Sequence, residues 1–256
     1  MNMKKKAYTV SEIIFALSII GIISVILNSK IPLKMQERIT VAKVNKLYHL
    51  LDQSFHQAVI KYGSPETWGL QYGISELPSE DADESEKTIT QVSDMKKFNE
   101  YLLSGLKKED VSEILPLLDT NYLNNPKYEA KNPDGFKLQP LYRLADGTII
   151  FHGWINKECT GIKDANNLYL KNTCADFRID INGEKKPNII GIDQFQFRVT
   201  KRGIIPVGIP EDPSRPIEKY CNPKETLTYN GYSCGAWVLY KKEMPWLYGK
   251  QVSWQE

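Results

Sequence analysis

Few residues of this chain have the type and spacing to do chemistry. Cys159, Cys174, Cys221 and Cys234 follow one another at intervals of 15, 47 and 13 residues. Thiolate metal sites use close C-x2–4-C pairs, which these intervals do not supply. An even cysteine count in an oxidising compartment reads instead as disulfides. Four cysteines allow three connectivities. Local pairing, Cys159–Cys174 with Cys221–Cys234, closes two loops of roughly 15 residues, each worth about 3 kcal/mol in the chain-entropy account. Gly231-Tyr232-Ser233-Cys234-Gly235 fits the G-x-S-x-G nucleophile elbow. That elbow needs a strand–turn–helix context and a histidine base later in the chain. His49, His56 and His152 all precede the serine, and Ala236-Trp237-Val238-Leu239-Tyr240 reads as a strand. His49 and His56 stand seven residues apart on one predicted helix, about 10 Å along its axis, too far for one metal ion. They are expected at the surface. No catalytic residue and no enzyme activity are expected.

One further residue stands out by its surroundings. Ile13 to Leu27 is fifteen residues without a charge, preceded by Glu12 and by Lys4, Lys5 and Lys6. Basic flanks hold the N-terminal side of an apolar run in the cytoplasm. Tyr8 to Leu27 supplies the roughly 20 residues a bilayer core needs, with Glu12 as its one carboxylate. Val25-Ile26-Leu27-Asn28-Ser29-Lys30 offers no small-residue cleavage site, which argues against a secretory signal peptide. A carboxylate in such a segment costs about 2.5–3.5 kcal/mol at mid-bilayer, so it is a functional residue whose partner must be named.

The run Lys6-Ala7-Tyr8-Thr9-Val10-Ser11-Glu12-Ile13-Ile14 resembles the class III signal of type IV pilins and type II secretion pseudopilins. The resemblance implies cleavage by prepilin peptidase after Ala7 and N-methylation of Tyr8. It makes Glu12 the glutamate that meets the neighbouring subunit's new amine, setting axial register, and Gly21 the helix glycine. Two positions depart from the pattern: Ala7 replaces the usual glycine, and proline comes at Pro32 rather than at Ser29. Ala145-Asp146-Gly147, Asp180 to Asn188 and Gly191 to Phe195 are similar to the C-terminal part of large prepilin-type proteins. The implied partners are prepilin peptidase, other pilin or pseudopilin subunits, the inner-membrane assembly platform and the membrane. The implied location is the bacterial inner membrane, single-pass with an extracytoplasmic head, and then the filament. Removing seven residues leaves 249, a large head that suits a minor or tip subunit. The rival reading is a signal-anchored extracytoplasmic binding or enzymatic domain. Because some major pseudopilins bind calcium in a C-terminal loop, Asp180, Asn182 and Asp193 become calcium candidates. Asp-x-Asn-Gly is equally a hairpin turn, and EF-hand spacing is absent, so no cofactor is expected.

These residues must be carried by a frame. Val41, Val44, Tyr48, Leu51, Phe55, Ala58 and Tyr62 recur at gaps of 3 and 4, one face of an amphipathic helix. It is expected to pack on its own head and to end at Gly63-Ser64-Pro65. Continued from Tyr8, such a helix would be about 80 Å long. Glu76 to Glu86 carries six acidic residues and reads as a solvated loop. Val92 to Leu106 reads as a helix, Ser112 to Leu118 as a further turn or two, and Asn121 to Gly135 as a connection. Strand patterns follow: Leu141 to Phe151 as a hairpin with Asp146-Gly147 at its turn, then Phe177 to Ile181 and Gln194 to Val199 as half-buried strands. The expected fold is α+β, a long N-terminal membrane and amphipathic helix on an antiparallel, disulfide-bonded head. Its divisions are a leader at 1–7, a transmembrane assembly helix at 8–30, its amphipathic continuation at 31–62, a helical and loop-rich insertion at 63–135 and the β head at 136–256. Thirty-three Lys and Arg against 31 Asp and Glu give a net charge of +2, which offers no field for nucleic acid.

Overall fold

The computed structural model describes residues 10–27, 31–68, 96–124, 137–151, 153–156 and 158–255. The chain divides into two compact units, Met1–Ile39 and Thr40–Glu256. In the first lies α1 (Val10–Leu27). Its 18 residues span about 27 Å at the α-helical rise, a little under the roughly 30 Å of a bilayer core. Among the described residues no helix is long and apolar enough to cross a membrane. Residues 8, 9 and 28–30 of the expected span lie outside them.

α2 (Ile31–Tyr62) crosses the division, and its part from Thr40 onward belongs to the larger unit. There the expected stripe is the buried face. Val44, Leu51, Phe55 and Ala58 are at most 2 % exposed, and Leu47 joins them. Val41, Tyr48 and Tyr62 pack partly buried against the same core. Gly63 ends the helix in the left-handed region, φ +82°, with its N–H on the Val59 carbonyl, the C-terminal glycine device.

The stripe meets a six-stranded antiparallel sheet in the order β1-β4-β5-β6-β7-β8. The strands are β1 (Lys108–Asp110), β4 (Pro140–Leu144), β5 (Ile149–Phe151), β6 (Thr173–Asp180), β7 (Gln194–Thr200) and β8 (Gly203–Pro206). A separate pair joins β2 (Leu118–Asp119) to β3 (Lys137–Leu138). Phe177, Ile179, Phe195, Phe197 and Val199 share one core with the α2 stripe. The Tyr48 ring stacks on Phe197 at 6.2 Å and its hydroxyl donates to the Ile204 carbonyl. The β4–β5 hairpin turns at Ala145-Asp146-Gly147 as expected, with Gly147 at φ +87° and the Thr148 N–H on Asp146.

Five expectations are corrected. Residues 236–240 are helical, within α3 (Cys234–Lys241). A five-residue apolar run cannot separate a buried helix from a strand, and here Cys234 to Leu239 are all buried, with Lys242 ending the helix at φ +61°. Residues 112–115 turn as expected, but Leu118 opens β2. The 63–135 segment is more than helix and loop, since its β1 forms an edge of the main sheet through β4. Of the helix expected at 92–106, residues 92–95 lie outside the described residues, 96–102 are helical with Phe98 and Leu102 fully buried, and 103–106 form a turn instead. Finally, β6 and β7 are not half-buried. Arg178, Asp180, Gln194, Gln196 and Arg198, the polar alternants, are all at most 8 % exposed, because the chain beyond β8 returns across the second face.

Candidate functional site

Each residue singled out by its chemistry has a definite setting, except those outside the described residues, namely Ala7, Tyr8 and His152. Glu12 lies in the first turn of α1 and is exposed, where the helix dipole favours a carboxylate. Around it Val10 is 74 % exposed, Ile13 51 %, Ile14 58 %, Phe15 69 % and Leu17 61 %. Four consecutive helical positions, 12 to 15, therefore face outward, which one amphipathic stripe cannot do.

The cysteines pair locally, Cys159 with Cys174 and Cys221 with Cys234, and no cysteine is free. Ser233 precedes a helix, as a nucleophile elbow requires, which removes one argument against it. Two others remain. Turns rather than a strand lead into it, and Ser233 is fully buried with its hydroxyl donating to the Arg215 carbonyl. Gly231 has a structural reason of its own: at φ +101° a Cβ would lie 2.1 Å from the Ile190 carbonyl oxygen. His49 and His56 are exposed on α2, His56 lying 3.7 Å from Asp52 one turn earlier.

Asp180, Asn182 and Asp193 do come together. Asp193 accepts from the backbone N–H of Ile189 at 2.7 Å, from that of Asn188 at 2.9 Å and from Asn182 Nδ2 at 3.1 Å. Asp180 accepts from the Asn182 N–H and from Gln194 Nε2, each at 3.0 Å. Burial and then the facing Asp193 charge push the Asp180 carboxyl up to about 7, and burial raises Asp193 as well. The arrangement latches the β6–β7 connection. Among the described residues no group of three or more His, Cys, Asp and Glu could hold a metal ion.

Sequence reasoning missed the row of polar side chains on the covered sheet face. The register sets Asp176 opposite Arg198, Arg178 opposite Gln196 and Asp180 opposite Gln194. Neighbours on the same face can interact in this way. From the cover, Asp212 meets Arg198 Nη1 at 2.5 Å and Ser214 Oγ meets its Nη2 at 2.9 Å. Arg178 donates to the Tyr232 hydroxyl and lies 4.7 Å from the centre of that ring. Such charges are tolerated inside because they are paired. A pattern of alternate charges along two strands was the available signal, but it indicates solvent equally well. No family model, no curated protein and no solved structure matches the chain.

Proposed function

We propose that the chain is a structural subunit, a minor pilin or pseudopilin, of a type IV pilus or type II secretion pseudopilus. α1 carries the reading: it is apolar from Ile13 to Leu27 and presents Val10, Ile13, Ile14, Phe15 and Leu17 outward. A helix that is apolar all round belongs in a bilayer or among other helices. In the sequence, Tyr8 to Leu27 is a run of twenty residues with one carboxylate, about the number that a bilayer core asks for. Prepilin peptidase cuts after Ala7 and leaves an amine on Tyr8. Glu12 of one subunit then meets that amine on its neighbour, so that neither charge is buried alone in the filament core. The head, with no catalytic arrangement assigned to it, is a presented surface.

Mass spectrometry of the mature N-terminus tests this. Cells carrying prepilin peptidase should yield a chain beginning at methylated Tyr8. A chain still beginning at Met1 would favour a signal-anchored domain outside any filament. Glu12→Gln should leave membrane insertion intact and remove the subunit from sheared filament fractions; equal incorporation would count against the charge-pair account.

A further inference from the structure

On the covered face of the sheet lies a cavity of about 340 Å³, within the range of small-ligand pockets of about 300–1,000 Å³. β6 and β7 form its floor with Thr173, Asp176, Gln196 and Arg198, and the cover adds Trp154, Ser214 and Arg215. The two disulfides hold its walls. Cys174 lies on β6 two residues before Asp176, and its bond to Cys159 ties down the segment between Trp154 and Ile162. The Trp154 carbonyl accepts from the Asp176 N–H at 2.8 Å. Cys221–Cys234 joins the segment after Arg215 to the start of α3. A pocket built this way is ordered before any ligand arrives, which lowers the cost of binding.

Its polar groups are left in an unusual balance. Asp176 Oδ1 accepts from the Trp154 N–H at 2.8 Å, and burial raises the pKa of this carboxyl. Gln196 Oε1 is a buried acceptor without a partner among the described residues, on a side chain 8 % exposed. Such an acceptor calls for a hydroxyl or amine donor. Arg198 is neutralised by Asp212. Arg215 has no ion pair among the described residues. It donates to the Ser214 carbonyl at 2.8 Å and lies 4.8 Å from the Tyr229 ring centre and 5.9 Å from that of Tyr232. A guanidinium has five N–H donors in a fork that matches a carboxylate. Trp154, 40 % exposed, is the lining residue most open to solvent and supplies a flat apolar face.

A guanidinium lacking a carboxylate, an orphan acceptor lacking a hydroxyl and an open indole face describe one kind of ligand. We propose that the cavity binds a carboxylated sugar, with Arg215 on its carboxylate, Gln196 Oε1 and Asp176 on its hydroxyls, and Trp154 against its apolar ring face. The chain would then hold a residue of an acidic polysaccharide through its head, independently of how the N-terminal helix assembles.

The test uses the full chain in detergent, titrated with galacturonic acid and a short oligogalacturonate, with galactose and acetate as controls. Saturation-transfer NMR and calorimetry read the binding. Galacturonate should bind at least about tenfold more tightly than either control, because each control lacks one half of the recognised chemistry. Arg215→Gln should remove that advantage over galactose. Trp154→Ala, at an exposed position with little bearing on folding, should weaken galacturonate at least about tenfold, and unchanged melting would identify the loss as local. No galacturonate binding by a wild-type chain with intact disulfides would overturn the proposal. So would equal binding of galactose or acetate, or affinity unaltered in both variants.

Discussion

Replacing Asp180 by Asn probes the buried acid pair through its pH dependence. Asp180 is fully buried, and burial with the neighbouring Asp193 charge raises its pKa from 3.8 to about 7. Between these values the folded chain keeps a proton that the unfolded chain has lost, so stability falls as pH rises through the window. Below about pH 4 both states are protonated and the contribution vanishes; above about pH 7 the penalty is complete. At about 1.4 kcal/mol for each tenfold change in proton affinity, the displacement amounts to about 4 kcal/mol. In a chain of this size that corresponds to about 8–16 °C in Tm. Asparagine keeps an acceptor for the Asn182 N–H, which Asp180 now holds at 3.0 Å. Its amide cannot accept from Gln194 Nε2, but Gln194 Oε1 is a buried acceptor without a partner, and an amide flip presents it to the new donor. The exchange therefore conserves the hydrogen bond while removing the charge. Melting of the full chain in detergent, followed by tryptophan fluorescence between about pH 4 and pH 8, reads the outcome. The wild type should lose Tm across the range, and Asp180→Asn should lose clearly less, the remainder coming from the buried Asp193, and melt higher at about pH 8. A variant whose Tm falls as steeply as the wild type's, or that melts lower at the alkaline end, refutes the reasoning.

Three other perturbations reach different parts of the head. Phe197 is fully buried between Tyr48 and Phe177, at ring distances of 6.2 and 5.8 Å, so Phe197→Ala should cost about 3–5 kcal/mol in denaturant unfolding. Arg198→Met leaves Asp212 buried without its partner and should cost about 3–5 kcal/mol. Adding Asp212→Asn in the same chain should recover part of that loss, which a double-mutant cycle measures. Substituting both Cys221 and Cys234 by Ser opens a loop of 13 residues' separation. It should lower stability by about 3 kcal/mol, read as a shift in the denaturation midpoint with little change in slope.

Much of the frame was legible in the residue pattern. The gaps of 3 and 4 from Val41 to Tyr62 marked the buried face of α2, because a helix returns each side chain to the same side at that spacing. Asp146-Gly147 between two apolar runs marked the β4–β5 turn, since few residues adopt the left-handed conformation that Gly147 holds at φ +87°. Cysteine count and spacing pointed to disulfides and left three connectivities, of which the structure shows the local one. These signals are short-range, and each carries its own physical constraint within about twenty residues.

What α3 becomes, and what Asp176, Arg178, Asp180, Gln194, Gln196 and Arg198 face, depended on partners far along the chain. Period-two alternation says that a strand has two unlike sides; it does not say whether water or another segment covers the polar one. Here Asp212 and Tyr232, 14 and 54 residues from the side chains they meet, close over that side and turn a surface pattern into a buried polar layer. The amino-acid order alone thus determined an apolar helix with one carboxylate, an amphipathic face, and strands. Only the tertiary structure decided that the charges lie inside, and that a cavity with an unsatisfied acceptor remains between them, because burial of a charge is a property of what folds over it.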